Sequence, residues 1–222
     1  MNYCYASSSA PVIKALTESI SSHLTKGESV LWLLSGGSGA AVCIEVSKAL
    51  RNIDTSHLFI TMSDERYGPV EHTNENIQQL LNNGFEIGKA TLYRPLRGLD
   101  RSSTAVLFSE WLTHTIQSVD FSIALLGIGP DGHTSGIKPQ SIAVSSTEAA
   151  VDFRGDDFER ITTTIPFLQK LDEIIVQSFG DTKHAVVASL LNKVMTIDEQ
   201  PAKFITNHLN ATLYSDYKEE TV

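Results

Sequence analysis

The sequence predicts a single α/β domain over residues 1–222, a three-layer sandwich around a largely parallel, doubly wound sheet. Short apolar segments typical of buried strands alternate along the chain with segments of helical periodicity. The length suffices for one substantial core, and no repeat or low-complexity linker interrupts the sequence. These observations favour one domain over two.

Apolar runs bounded by polar or glycine-rich residues predict strands at 29–34, 57–62, 121–129 and 173–180. Helical spacing of apolar side chains predicts helices at 10–26, 40–52, 77–84, 103–118 and 181–194. Gly27 is expected to stop the first helix, and Asp181 is expected to be the N-cap of the last.

Composition and charge argue against several classes of protein. The chain has 17 Lys and Arg against 26 Asp and Glu, a formal charge of −9, which argues against a nucleic-acid binder. A small anionic ligand is compatible with that charge, because a few cations can converge locally. Neither a membrane-spanning run nor a signal-peptide layout is visible. Cys4 and Cys43 lack any ligand-like spacing, so a reducing, cytoplasmic setting is expected.

Polar, glycine-rich segments follow each predicted strand, at residues 35–39, 63–66, 127–133 and 180–183. Ligands of open parallel sheets bind beyond the carboxyl ends of the strands. These segments should therefore converge on one edge of the sheet and form one site.

The segment "SGGSG", residues 35–39, offers backbone N–H groups and a helix start to a phosphate group. It lacks the Gly-Lys-Ser/Thr of a Walker A loop and is a poor dinucleotide fingerprint. Its small residues around Ser38 also approximate the nucleophile elbow of α/β-hydrolases. A plain strand-to-helix turn is the remaining interpretation.

The segment "GIGPDGHTSG", residues 127–136, places Asp131 two positions before His133. An imidazole with a pKa near ~6.5 accepts a proton from water at neutral pH, and a nearby carboxylate holds its tautomer. A metal site is weakly supported, because no second His or Cys stands at ligand spacing. An Asp-Gly turn without chemistry is the alternative.

Further charged residues lie beside the other predicted strands. Arg66 could bind a phosphate or stabilise an oxyanion, and Asp64 and Glu65 could orient its guanidinium or act on protons. Lys183 falls in the first turn of a helix, where the macrodipole disfavours a cation. A bound anion or simple solvent exposure would each explain that placement. Arg160 could serve the same anion. A solvated charged loop is the simpler reading of 63–76.

Taken together and in order, the segments "SGGS", "DER", "LLGIGPDGHTS", "RIT" and "G-x-x-K" resemble the 6-phosphogluconolactonase family, within the group that also holds glucosamine-6-phosphate deaminases. The matching segments span residues 35–183. Each motif is weak alone, but the ordered set is specific.

The resemblance implies a hydrolase of the pentose phosphate pathway that opens 6-phosphogluconolactone to 6-phosphogluconate without a cofactor or metal. It implies a phosphorylated sugar lactone as substrate, no nucleic-acid or membrane partner, and a monomer or small homo-oligomer. The catalytic residues would be His133 as general base, Asp131 as its support and Arg66 near the oxyanion. The substrate- and phosphate-binding residues would be Ser35, Gly36, Gly37, Ser38, Asp64, Arg160 and Lys183.

This sequence departs from the family pattern in three loops. Lactonases usually follow the His-Thr pair with a small residue, Leu, Phe and Pro, whereas residues 135–139 read Ser-Gly-Ile-Lys-Pro. Tyr-Gly-Pro stands at 67–69, where a Val-Pro is usual, and Glu75-Asn76 replaces a Ser-Asn pair. Sugar specificity is therefore open, and Lys138 could add a contact to an anion.

Three other functions compete with the lactonase. A glucosamine-6-phosphate deaminase fits less well, because such enzymes usually carry Asp-Glu-Tyr at 64–66. A serine esterase would use Ser38 with Asp131 and His133, although an Asp two residues from its His is unlike a usual triad. A non-catalytic sugar-phosphate sensor is the third, but no DNA-binding segment is visible.

Overall fold

The computed structural model describes residues 1–155 and 157–218. Within them, the strands are β1 Asn2–Tyr5, β2 Val30–Leu34, β3 Leu58–Met62, β4 Asp64–Arg66, β5 Thr91–Leu92, β6 Phe121–Gly127, β7 Ala150–Arg154, β8 Glu159–Thr163, β9 Glu173–Ser178 and β10 Ala211–Ser215. The α-helices are α1 Ala10–Leu24, α2 Ala40–Ala49, α3 Asn76–Asn82, α4 Arg101–Ser118, α5 Ile165–Leu168 and α6 Asp181–Asn192.

The main sheet has the strand order β1-β10-β9-β6-β2-β3-β5, and every pairing within it is parallel. From β2 the chain runs outward to β3 and β5 on one side, then returns to build the other side from β6. The strand order thus reverses between β2 and β6, as in a doubly wound sheet.

Both faces of the main sheet are buried. Along β2, Leu31 and Leu33 enter the core that contains Phe108 of α4. Their neighbours on the strand, Trp32 among them, enter the other core, which contains Leu16 of α1. Successive side chains of a strand point to opposite faces, so an unbroken apolar strand requires cover on both sides. The predicted α/β three-layer architecture is confirmed.

A second sheet, β4-β8-β7, is antiparallel and was not predicted. Its strand β4 falls within the segment read as a charged loop, and it pairs Arg66 with Arg160 of β8. The Thr163 amide and hydroxyl both donate to the Ser63 carbonyl at 3.0 Å, which ties this sheet to the end of β3. β4 consists of three consecutive charged residues, so no apolar pattern indicated a strand there.

Several boundaries differ from the predictions. The N-cap of α6 is Gly180, with φ of 97°, and Asp181 is the first helical residue, so the predicted Asp181 cap is wrong. The positive φ, which favours glycine, sets the entry angle of the helix. Residues 50–52 form a 3₁₀ turn instead of continuing α2. Strands β1, β5 and β10 were not predicted.

Within the described residues, no helix is both long and apolar enough to cross a bilayer.

Candidate active site

A cavity of about 360 Å³ opens at the carboxyl edge of the main sheet, where the strand order reverses. It collects side chains from the segments after β2, β3, β6 and β9, as the sequence predicted. The predicted site residues that line it are Ser35, Gly36, Gly37, Ser38, Asp64, Arg66, His133, Arg160 and Lys183. The predicted Asp131 lies behind His133 instead of in the wall.

The loop after β2 turns sharply at the cavity floor. Gly37 has φ of 53°, and a side chain on Gly36 would meet the Asn76 amide at 2.7 Å. Gln177 of β9 donates to the Ser38 carbonyl at 2.9 Å and holds the loop from below. Backbone thus forms this part of the wall, and α2 begins directly behind it.

His133 is placed by close packing against its own loop. A Cβ atom on Gly129 would lie 2.0 Å from the imidazole Cε1, so only glycine fits there. The Gly129 amide donates to the His133 carbonyl at 2.8 Å and closes the turn. Gly132, with φ of 80°, supplies the left-handed residue that the turn needs.

The imidazole Nδ1 of His133 is hydrogen-bonded to the Asp131 carboxylate Oδ1. The other carboxylate oxygen, Oδ2, accepts from Lys138 Nζ at 3.0 Å. With Nδ1 donating to Asp131, the lone pair of Nε2 is left for a substrate or water.

Electrostatics keep this pair in the base form. Burial lowers the pKa of His133 below 6.5, and the Asp131 charge offsets only part of that effect. Burial by itself raises the pKa of Asp131, but hydrogen bonds from Lys138 and His133 outweigh it and lower the value to about 2. At neutral pH the pair is therefore neutral imidazole and carboxylate.

Two arginines project from the second sheet into the cavity. The Arg66 guanidinium stacks over the Phe158 ring at 4.6 Å from its centroid. The Arg160 side chain is nearly buried, ion-paired to Asp157 at 2.7 Å and to Asp64 at 3.8 Å. Its Nε is a buried donor without a hydrogen-bond partner among the described residues. An acceptor from a ligand would satisfy that donor.

Lys183 reaches across from the first turn of α6 and donates to the Ile128 carbonyl. Burial lowers its pKa, since an ammonium is disfavoured away from water. Asp64 also lines the cavity, and burial raises its pKa despite the nearby Arg160.

Glu65 is buried and lies outside the cavity wall. Its two carboxylate oxygens accept from the backbone amides of Asn76 and Ile77 at 2.7 and 2.8 Å, at the start of α3. Burial raises the pKa of Glu65 well above 4.5, and these two amides counteract the shift. Its role here is to fix α3 against β4.

Sequence reasoning missed Asn76, Ser135 and Asp157 as cavity residues. Asn76 donates to the Asp64 carbonyl at 3.0 Å, and its Oδ1 is a buried acceptor without a partner in the described part of the chain. The position of Asn76 at the end of the polar segment after β3 is the sequence feature that could have indicated it as a cavity residue. Asp157 could not be anticipated, because β7 and β8 were not predicted.

Of the residues that depart from the family pattern, some line the cavity and others lie outside it. Tyr67 donates its hydroxyl to the Leu99 carbonyl at 2.9 Å. Glu75 is buried and held by Arg94, with Nε 2.6 Å from Oε1. Neither lines the cavity, whereas Ser135 and Lys138 do.

The serine-nucleophile arrangement is not formed. The contact of His133 Nδ1 with Asp131 is one that a triad would also have. Over residues 1–155 and 157–218, however, no hydrogen bond joins the Ser38 hydroxyl to the His133 imidazole. A triad would require the base to contact the nucleophile.

Comparisons with known proteins agree with the geometry. The sequence profile of a family described as glucosamine-6-phosphate isomerases/6-phosphogluconolactonase matches residues 6–214. The chain is 28% identical to a 6-phosphogluconolactonase of Mycobacterium tuberculosis, over 75% of this chain and 74% of that protein. It is 26% identical to one of Mycobacterium leprae, over 80% and 79%.

Solved structures share the fold. A 6-phosphogluconolactonase from Shewanella baltica superposes with a TM-score of 0.80 at 20% identity, covering 97% of each chain. A monomeric glucosamine-6-phosphate deaminase superposes with a TM-score of 0.81 at 17% identity, again covering 97% of each chain. The fold is therefore common to lactonases and deaminases, and the side chains must discriminate between them.

Proposed function

Because the chain belongs to the glucosamine-6-phosphate isomerase/6-phosphogluconolactonase family, we propose that it hydrolyses 6-phosphogluconolactone to 6-phosphogluconate in the pentose phosphate pathway. The observation that carries this proposal is the His133–Asp131 pair facing a cavity rich in cations. The curated relatives that it matches are named as lactonases, which supports the same reaction.

In the proposed mechanism, His133 Nε2 takes a proton from a water molecule as the water oxygen attacks the lactone carbonyl carbon. The carbonyl π electrons move to its oxygen and form a tetrahedral oxyanion. As the carbonyl re-forms, the bond to the ring oxygen breaks, and the imidazolium returns its proton to that oxygen. Asp131 holds the tautomer and stabilises the imidazolium meanwhile.

The cationic side chains would divide between the two anionic parts of the substrate. Arg66, whose guanidinium stacks over the Phe158 ring, would stabilise the oxyanion or hold the phosphate. The Ser35–Ser38 backbone, Arg160 and Lys183 would take the phosphate, satisfying the Arg160 Nε donor. Asp64 orients Arg160 in this scheme.

The deaminase function has less support from the site. Glu65 lies outside the cavity wall and is buried against the α3 amides. Asp64 does line the cavity, but its carboxylate is ion-paired with Arg160 at 3.8 Å, which favours a role in holding that cation.

The test is hydrolysis of freshly prepared 6-phosphogluconolactone, with the spontaneous rate subtracted. His133→Ala should lower kcat by about 10²–10⁴-fold, the usual contribution of a general base. His114→Ala, on the exposed face of α4, is the matched control and should keep the wild-type rate. Equal rates for wild type and His133→Ala would exclude His133 as the base.

Absence of turnover by the wild type, with tight 6-phosphogluconate binding in calorimetry, would favour the non-catalytic sensor. Release of ammonia from glucosamine 6-phosphate would favour the deaminase. The proposed pathway implies a cytoplasmic setting, and light scattering would decide between a monomer and a small homo-oligomer.

A further inference from the structure

One cation of the cavity is not explained by phosphate binding. Lys138 immediately precedes Pro139, in the segment where the lactonases that this sequence resembles usually carry Leu-Phe-Pro. Its ammonium lies 3.0 Å from Asp131 Oδ2 and 3.4 Å from His133 Nδ1. The side chain is about a third exposed and forms part of the cavity wall.

The backbone holds Lys138 in this position from both sides. Ser135 has φ of 53° and Gln140 has φ of 59°, both in the left-handed region that costs a non-glycine residue energy. Ser135 Oγ donates to the Ser63 carbonyl at 2.9 Å, and the Gln140 amide donates to the Asp198 carbonyl at 3.0 Å. Between them Ile137 is fully buried in the core. The segment is thus anchored, and Lys138 is directed toward the pair.

Three donors therefore share the Asp131 carboxylate. Oδ1 accepts from the His133 backbone amide at 3.2 Å and is hydrogen-bonded to the imidazole, and Oδ2 accepts from Lys138. The ammonium is the donor on Oδ2, and together with the amide it fixes the plane of the carboxylate so that Oδ1 points at the imidazole. It also opposes a second positive charge 3.4 Å away on His133. A carboxylate shared in this way stabilises the imidazolium less than a carboxylate reserved for it.

On the basis of the proposed function, we propose that Lys138 is a positioning residue, which orients Asp131 toward His133 and keeps the imidazole unprotonated in more acidic solution than the His–Asp pair alone would allow. His133 would then be a weaker base, but it would stay unprotonated, and so able to accept a proton, below neutral pH. Lys138 also neutralises the charge of Asp131. Without it, the His133–Asp131 pair would carry a net negative charge beside an anionic substrate.

Other charges face the same imidazole and act in both directions. Asp131 and Asp64 favour its protonation, whereas Lys138 opposes it, and Lys183 interacts with Asp131. The charged groups around the pair are Asp131 and Lys138 on its own loop, Asp64 and Arg66 on β4, Asp157 between β7 and β8, Arg160 on β8, and Lys183 on α6. Among the described residues, Lys138 is the cation that contacts both members of the pair.

The test is an NMR titration of the His133 imidazole, which needs no activity. Lys138→Met should raise the pKa of His133 by about 1 unit, the effect expected of a unit charge at close range. Lys138→Arg should keep the wild-type value, and Lys170→Met, which removes an exposed lysine outside the cavity, is the matched control. An unchanged His133 titration in Lys138→Met would overturn the proposal.

A second measurement connects this effect to the reaction. The acid limb of kcat/KM against pH should move upward in Lys138→Met by the same amount as the His133 titration. If the titration moves and the limb does not, His133 is not the base, and the proposed lactonase mechanism fails while the electrostatic role of Lys138 stands. If Lys138→Met does not fold, Lys138→Gln replaces it in the titration, and the same rise in the pKa of His133 is expected. Independently, a wild-type His133 that titrates above pH 6.5 would overturn the proposal.

Discussion

At the scale of single residues, the chemistry depends on what surrounds His133. The ring packs against the backbone of Gly129, bonds to Asp131 on one nitrogen, and leaves the other nitrogen for the cavity. The position of one imidazole is thus set by the absence of a neighbouring side chain as much as by the presence of a carboxylate. The packing against Gly129 and the electrostatic surroundings of the ring each lead to a testable prediction.

Gly129→Ala should displace the imidazole, because the new Cβ would lie 2.0 Å from Cε1 and 2.1 Å from Nδ1. We expect kcat to fall about 100-fold, as for a catalytic group moved by about an ångström, with little change in circular dichroism. Gly127→Ala is the control, since its Cβ would meet nothing closer than 3.8 Å. An active Gly129→Ala enzyme would show that the ring position is not critical.

The pH profile follows from the direction of the His133 shift. Burial lowers the pKa of His133 in the folded protein, so the folded state binds that proton less tightly than the unfolded chain. The imidazole is then mostly unprotonated at pH 7, and the base is lost as pH falls through a pKa below 6.5. We expect the acid limb of kcat/KM to reach half of its plateau at a pH below 6.5. A half-maximal point above pH 6.5 would contradict this assignment.

At the scale of elements, the second sheet and α3 are joined by one buried carboxylate. Glu65 of β4 accepts both of the first amides of α3, and Asn76, whose amide is one of them, lines the cavity. A helix start leaves its first N–H groups unpaired, so this side chain supplies what the helix itself cannot. The contact places part of the cavity wall.

Glu65→Gln should lower the free energy of unfolding by about 1–3 kcal/mol, because glutamine can accept only one of the two amides and leaves the other buried donor unpaired. Urea denaturation measures this loss. Glu45→Gln, which changes an exposed carboxylate paired with Lys48, should cost less than about 0.5 kcal/mol. Equal stability losses would show that the cap contributes nothing specific.

At the scale of the whole molecule, charge is distributed unevenly. The chain carries a formal charge of −9, yet Arg66, Lys138, Arg160 and Lys183 line one cavity that Asp64 and Asp157 only partly neutralise. A cleft of one sign concentrates ligands of the opposite sign, and mobile ions screen that effect. The net negative charge of the chain would repel a phosphorylated substrate, whereas the cations at this opening would attract it.

The KM for the lactone should therefore rise severalfold between low salt and about 1 M NaCl, where the screening length falls to about 3 Å. The value of kcat should change little, because the His133–Asp131 contact is too short for mobile ions to screen. Initial rates across a salt series measure both constants. A KM independent of salt would indicate that the cavity cations do not attract the substrate.

The two cores share the central sheet, with Leu31 in one and Trp32 in the other. We therefore propose that residues 1–222 form one domain and unfold in a single transition. Calorimetry should yield equal calorimetric and van't Hoff enthalpies. Two resolved transitions would show that the second sheet forms a separate unit.

The sequence by itself determined the parallel α/β architecture, the segments that meet at the carboxyl edge, and the residues of the His133–Asp131 pair. These features depend on local pattern: apolar runs mark buried strands, and the topology of parallel strands brings the residues that follow them to one edge. Nine of the ten predicted site residues line the cavity, and the tenth, Asp131, contacts His133, while their part in a function stays a prediction.

Only the tertiary structure decided the second sheet, the placement of Asn76 and Asp157, and the two-sided contact of Lys138 with His133 and Asp131. Antiparallel pairing of β4 with β8 joins residues about a hundred positions apart, and the short, charged β4 carries no apolar signal. Whether a buried carboxylate caps a helix, as Glu65 does, or holds a cation, as Asp64 does, depends on neighbours that are distant in the chain. Local pattern specifies elements, whereas long-range packing specifies which charges meet.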